Sequence, residues 1–243
     1  MLEAAGERGN TRLARRTKFP GCDTHSLRNY PPGDLQETVK NADDSIMPLA
    51  VIGGYLVCLA LLARWGRESI AHRRRINKLD FRIHVNGIRG KSTVTRIIAG
   101  LLREGDVVTV AKSTGTAAAV INRDGVDEPI NRKAAPTILE QIEVTKRYVH
   151  GDVRALVIEC MALIPELQSL SELKLIRATH TVITNARPDH LDVMGPADAD
   201  VAKALACVTP VRGRLYTAEQ HQLAVFEAAA KDRQSELIVV GPE

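Results

Sequence analysis

From residue 80 onward, short apolar runs of strand length alternate with segments of helical period, and few architectures accommodate that alternation. The run FRIHV puts Phe81, Ile83 and Val85 on one side of a strand. VTRIIAGLL then puts Val94, Ile97, Ile98, Leu101 and Leu102 on one face of a helix. Further strand-like runs lie at 107–111, 155–159, 181–184, 214–217 and 237–240, with helical patterns at 138–149, 166–175, 198–207 and 218–231 between most of them. The pattern predicts an α/β fold, a mostly parallel sheet with helices on both faces, whose ligands bind at the carboxyl ends of the strands. Neither a solenoid repeat nor a low-complexity tract interrupts it.

Ahead of this region lies IMPLAVIGGYLVCLALLA, Ile46 to Ala63, a charge-free run that as a helix spans roughly 27 Å at about 1.5 Å per residue. Arg64, Arg67, Arg73, Arg74, Arg75 and Lys78 follow it, whereas Asp43 and Asp44 precede it. A positive C-terminal flank predicts a single-pass transmembrane helix in a cell membrane, with everything after residue 64 cytoplasmic. A signal peptide would carry its charges before the run and end in small residues, which is not the pattern here. A buried core helix is the alternative reading. Residues 1–42 are rich in Arg, Gly, Pro, Asn and Asp and lack a sustained apolar period, which predicts disorder. The expected organisation is a disordered extension at 1–45, a transmembrane helix at 46–64, a basic juxtamembrane linker at 65–79 and an α/β domain at 80–243. Met47 opens the apolar run, so translation starting there is a further expectation that N-terminal sequencing would decide.

Composition narrows the functional classes. A 44% hydrophobic content is that of a globular protein, and the formal charge of +4 is mildly basic. Aromatic residues make up only 3% and show no stacking pattern, which argues against nucleic acid as a partner. Cys22, Cys58, Cys160 and Cys207 lie far apart without a C-x-x-C pair, so they read as free thiols rather than a disulfide framework or a zinc site.

Residues 84–93 read HVNGIRGKST, between the first predicted strand and the first predicted helix. Gly87 and Gly90 allow backbone to approach phosphates, and the helix start offers free N–H groups. Lys91 would neutralise the β and γ phosphates, and Ser92 or Thr93 would place a hydroxyl on Mg²⁺. Only two residues separate the glycines, against four in the common P-loop, and the stretch alone is equally compatible with a glycine turn capped by Ser92. Two other strand ends weigh on the choice. The strand at 155–159 ends in Glu159 of IECMA, and that at 181–184 leads into TNARPDHLDVMG with Asn185, Asp189, His190 and Asp192. A carboxylate and an imidazole at neighbouring strand tips could hold the metal that bridges ATP and a second substrate.

With these segments the chain resembles the Mur ligases, which share the short-spaced G-x-x-G-K-[ST] loop (Gly87 to Ser92), a metal-binding Glu at a later strand end (Glu159) and an N-x-x-x-D-H-x-D segment (Asn185 to Asp192). Within them it is most similar to the poly-γ-glutamate synthase branch, through NGIRGKSTVTR, KSTGT at Lys112 to Thr116, ECMA at Glu159 to Ala162 and DHLDVMGP at Asp189 to Pro196. The resemblance covers roughly residues 47–240. It implies an ATP- and Mg²⁺-dependent carboxylate–amine ligase that phosphorylates the γ-carboxylate of glutamate or of a growing chain and lets the next amino group displace phosphate. Lys91, Glu159 and His190 would be catalytic, and Ser92, Glu159 and His190 would hold the metal. Asn86, Gly87, Gly90, Lys91, Ser92, Thr93 and Asn185 would line the nucleotide site, with Lys112 and Thr114 on the γ-phosphate or the acceptor carboxylate. The implied partners are glutamate or poly-γ-glutamate and other membrane subunits of a synthase and export complex.

Two departures stand out. Many Mur ligases carry a carbamylated lysine after the D-H-x-D histidine, and the spacing of Lys203 does not match it. The sequence also ends at IVVGPE just after a strand, so the closing domain of such enzymes is expected to be missing. Two alternatives accompany the ligase reading: another amide ligase of the folylpolyglutamate type, and a truncated nucleotide-binding anchor subunit without turnover.

Overall fold

The computed structural model describes residues 34–115, 117–132 and 136–241, with side chains from Pro48 onward. Most of the expected disordered extension (1–33), Cys22 and Thr116 of the KSTGT segment lie outside the described residues. The chain divides into two compact units, Met1–Leu61 and Leu62–Glu243.

In the first unit the described residues belong to helix α1 (Asp34–Ile76), which is long and apolar enough to cross a membrane. Leu49, Ile52, Tyr55, Leu56 and Leu59 are all more than half exposed, so this is not a buried core helix. The helix is longer than the apolar run at both ends. It begins at Asp34, within the expected extension, and its last turns contain most of the basic stretch expected as a linker.

The second unit is built on a sheet of β1 (Phe81–Asn86), β2 (Thr109–Ser113), β3 (Ala119–Ile121), β4 (Asp127–Pro129), β5 (Ala155–Glu159), β6 (His180–Ile183), β7 (Arg214–Thr217) and β8 (Glu236–Val239), ordered β4-β3-β2-β5-β1-β6-β7-β8. The six strands from β2 to β8 in that order run parallel, whereas β3 and β4 are antiparallel to their neighbours. The β3–β4 hairpin is absent from the alternation of the sequence. Its local signal is Asp124-Gly125, where Gly125 has φ +82 and the Asn122 side chain accepts from the N–H groups of Asp124 and Val126.

Helix α2 (Lys91–Glu104) covers one face, inserting Val94, Ile98 and Leu102 against Ile83, Val85, Ala111 and Val157. Ile97 and Leu101 do not join that stripe and stand 55% and 66% exposed. A helix lying on a flat sheet buries a narrow i, i+4, i+8 row, and these two fall on its flank. The opposite face carries α3 (Glu140–Tyr148), α4 (Pro165–Leu170) running on into a π-helical segment Ser171–Ile176, then the short α5 (Leu191–Met194), α6 (Asp198–Ala206) and α7 (Leu223–Asp232). Two apolar clusters fill that side, one around Val110, Leu156 and Ile158, the other around Ile183, Leu215 and Phe226. The C-terminal turns of α1 also belong to this unit: Ile76 is fully buried and His72 sits between the Thr145 hydroxyl, at 2.9 Å, and the Leu175 carbonyl, at 2.7 Å.

Because β1 is central, its second face buries polar side chains as well, and each needs a partner. His84 is fully buried, with Nδ1 2.9 Å from Glu172 Oε2. Burial opposes its charge, but the Cys160 thiol and the Glu172 carboxylate outweigh burial and push its pKa from 6.5 up to about 9. A folded-state pKa above the unfolded one gives stability that is complete below pH 6.5 and lost as pH rises through about 9. The melting temperature is therefore expected to fall across that window. His84→Asn removes the slope; a native profile flat over the same range contradicts the assignment.

Candidate active site

The loop between β1 and α2 lies at the carboxyl ends of the parallel strands. Gly87 has φ +130, and a Cβ there would overlap Thr184 Oγ1 and stand 3.0 Å from the Thr184 nitrogen. Gly90, at φ +83, is the left-handed residue before α2. Both glycines answer a backbone demand that other residues meet only with strain. Gly87→Ala is accordingly expected to destabilise the fold by about 1–3 kcal/mol and to loosen the loop; an unchanged melting temperature and nucleotide affinity would argue against this reading of Gly87.

Asn185 fixes the loop from β6. Its Oδ1 accepts the Arg89 N–H at 3.2 Å, its Nδ2 donates to the Arg89 carbonyl at 2.9 Å, and its own carbonyl accepts the Ile88 N–H at 3.2 Å. The Asn185 amide is thus occupied with loop backbone. Asn86 is similar: it lines the cavity, yet its Nδ2 donates to Gln168 Oε1 at 2.7 Å and to the Leu205 carbonyl at 3.4 Å.

The chemistry-bearing groups surround a cavity of about 230 Å³ lined by Gly87, Lys91, Thr114, Glu159 and His190, among others. Lys91 Nζ donates to the Gly87 carbonyl at 2.7 Å and to that of Ile88 at 3.3 Å, and burial pulls its pKa below the usual lysine range against the opposing pull of Glu159. Glu159, 2% exposed, accepts the Ser92 hydroxyl at 3.0 Å on Oε1 and the Thr114 N–H at 2.6 Å on Oε2. It therefore joins the tips of β5 and β2 to the start of α2. Gly115 makes room for this, since a Cβ there would come within 2.7 Å of Ser92 Oγ. His190 is exposed at the start of α5 with φ +53, its N–H held by Asp189 Oδ1 at 2.9 Å, while Asp189 Oδ2 accepts from Arg89 at 2.9 Å. Thr93 is exposed and outside the cavity lining. Lys203 pairs with Asp200 at 3.0 Å on α6.

Among the described residues no three His, Cys, Asp or Glu side chains cluster as a ready-made metal cage. A hydroxyl and a carboxylate 3.0 Å apart beside a glycine loop at a helix start nonetheless suit Mg²⁺, which takes one or two protein oxygens and completes its shell with other oxygen ligands and water.

Residues 85–207 match the family described as the Mur ligase middle domain. The chain belongs to the Mur ligase family. The chain is 39% identical over 207 residues to the capsule biosynthesis protein CapB of Bacillus anthracis, covering 84% of this chain and 44% of the relative. It is also 39% identical over 186 residues to the PGA synthase CapB of Bacillus subtilis strain 168, covering 76% and 47%. The chain thus spans about half the length of these curated relatives. Among solved structures, E. coli FolC in complex with DHPP and ADP superposes with a TM-score of 0.50 at 15% identity, over 70% of this chain and 45% of that one. E. coli FolC with ADP and without folate gives 0.50 at 14% identity, over 72% and 46%. These likenesses concern the fold, and they agree with the parallel α/β sheet expected from the sequence.

The structure gives Lys112 different surroundings from those its motif suggests. Its side chain is fully buried and its Nζ lies 2.9 Å from Glu140 Oε2 and 3.5 Å from Met161 Sδ, outside the cavity lining. The cation that lines the cavity on the β2 side is Arg132, which sequence reasoning missed. No motif marks it; it follows the unread β3–β4 hairpin, and only folding brings it beside Glu140.

Proposed function

We propose that this Mur ligase is an ATP-dependent carboxylate–amine ligase that forms γ-glutamyl amide bonds in poly-γ-glutamate synthesis. The observation that carries the reading is Glu159, which ties Ser92 of the phosphate loop at 3.0 Å to the Thr114 N–H at 2.6 Å in the cavity that Lys91 and His190 share. The two CapB relatives support the choice of polymer.

In this reading the γ-carboxylate of a glutamyl unit attacks the γ-phosphorus of ATP, the bond to the bridging oxygen breaks, and ADP leaves. The amino group of the next unit then attacks the carbonyl carbon of the acyl phosphate, phosphate departs with its electron pair, and the nitrogen loses a proton to give the amide. The chain's contribution is position and charge. Lys91 and the N–H groups at the start of α2 receive the phosphates, and Asn185 keeps the loop in shape. Ser92 and Glu159 would hold Mg²⁺, with His190, which lines the same cavity, as a further ligand. Bound there, the metal would neutralise phosphate charge. Helix α1 would anchor the enzyme in the membrane, its basic end on the cytoplasmic side, beside other subunits of a synthase and export complex.

Glutamate-stimulated release of ADP by the purified chain with ATP and Mg²⁺ tests the reading. ADP release that depends on glutamate or on a γ-glutamyl oligomer is expected; ATP bound but never cleaved in their presence contradicts it.

A further inference from the structure

Arg132 lines the same cavity as Lys91 but belongs to the β2 side of the sheet, whereas the phosphate loop follows β1, with β5 and Glu159 between. Glu140 fixes one edge of its guanidinium: Nε donates to Oε1 at 2.7 Å and Nη2 to Oε2 at 3.1 Å. The same carboxylate receives the buried Lys112 Nζ at 2.9 Å. One carboxylate thus faces two cations, and a positive charge is left over. Lys112 is 0% exposed and Arg132 24%, so the surplus is presented on the arginine side. Nη1 has no hydrogen-bond partner among the described residues. Among the described residues the outer edge of the fork meets no acceptor, and its geometry suits a second carboxylate held by two parallel hydrogen bonds. Met161, Ala162 and Leu163 contribute apolar lining to this cavity, suited to the methylenes that separate the two carboxylates of a glutamyl unit.

We propose that Arg132, seated by Glu140 over Lys112, binds the α-carboxylate of the glutamyl unit whose γ-carboxylate is activated at the phosphate loop. The inference rests on the ligase reading above and adds to it a recognition site for the unreacting carboxylate. Arg132 would set the substrate's register, and the buried lysine would keep Glu140 from cancelling its charge.

Calorimetric titration of the 243-residue chain in lipid nanodiscs tests it, using γ-glutamylglutamate, the corresponding α-carboxamide peptide, and a non-hydrolysable ATP analogue with Mg²⁺. Arg132→Gln is expected to weaken the dipeptide roughly tenfold or more while leaving the ATP analogue within about twofold, with Arg132→Lys recovering part of the loss. The carboxamide should bind the native protein weakly and be indifferent to Arg132→Gln. Native-like dipeptide affinity in Arg132→Gln, or a loss confined to nucleotide, overturns the inference. So does a native chain that binds nucleotide but no dipeptide. A native chain that binds no nucleotide removes the ligase reading itself, and this inference with it.

Discussion

Replacing Lys91 with alanine is expected to weaken nucleotide binding by roughly a hundredfold and to abolish turnover. A charge-assisted hydrogen bond is worth about 1.5–3 kcal/mol, and a lysine on the β and γ phosphates makes at least one such bond. Lys91 Nζ already rests on the Gly87 and Ile88 carbonyls, so the ammonium is positioned at the loop before any phosphate arrives. The substitution removes a partly exposed side chain from the first turn of α2 and leaves the packing of Val94, Ile98 and Leu102 untouched, so the melting temperature should hold. Equilibrium binding of a fluorescent ATP analogue separates the outcomes; unchanged affinity would refute the assignment of the loop.

Glu159→Gln is expected to act differently, lowering turnover by roughly a hundredfold or more with a smaller effect on metal-free nucleotide affinity. Both carboxylate oxygens accept hydrogen bonds, from the Ser92 hydroxyl and the Thr114 N–H. An amide can still accept from the Thr114 N–H and donate to the Ser92 oxygen, so the brace survives, but the Ser92 hydroxyl must reverse its direction and the contact loses its charge assistance. The negative charge that would share Mg²⁺ with Ser92 is lost as well. The signature is a rise in the Mg²⁺ concentration needed for half-maximal ADP release. A variant with native Mg²⁺ dependence would show that Glu159 only braces the loop.

The parts of the molecule legible in the sequence are those written by local rules. The strand FRIHV, the G-x-x-G-K-S turn and the helix beginning at Lys91 are contiguous, and period and glycine spacing suffice to read them. Glu159 was visible because a parallel strand ends where ligands bind. The parts that were not legible depend on tertiary contacts. Ile97 and Leu101 share a helical period with Val94 and Ile98, but only the way the helix is laid on the sheet decides which of them reach it. Lys112 sits in a conspicuous motif, yet its partner is Glu140 on α3, and the exposed end of that pair is Arg132. Asn185 is a nucleotide contact only through the family resemblance; what folding adds is the match of its amide to the Arg89 backbone, which no local rule foretells.

The account stands on an acyl phosphate made at this site, and isotope transfer tests that most directly. Glutamate carrying ¹⁸O in its γ-carboxylate is supplied with ATP and Mg²⁺, and the inorganic phosphate released is examined by mass spectrometry. Formation and aminolysis of a γ-glutamyl phosphate predicts that each phosphate released with amide formation carries an ¹⁸O atom from the substrate. Amide bonds formed with unlabelled phosphate would contradict the account.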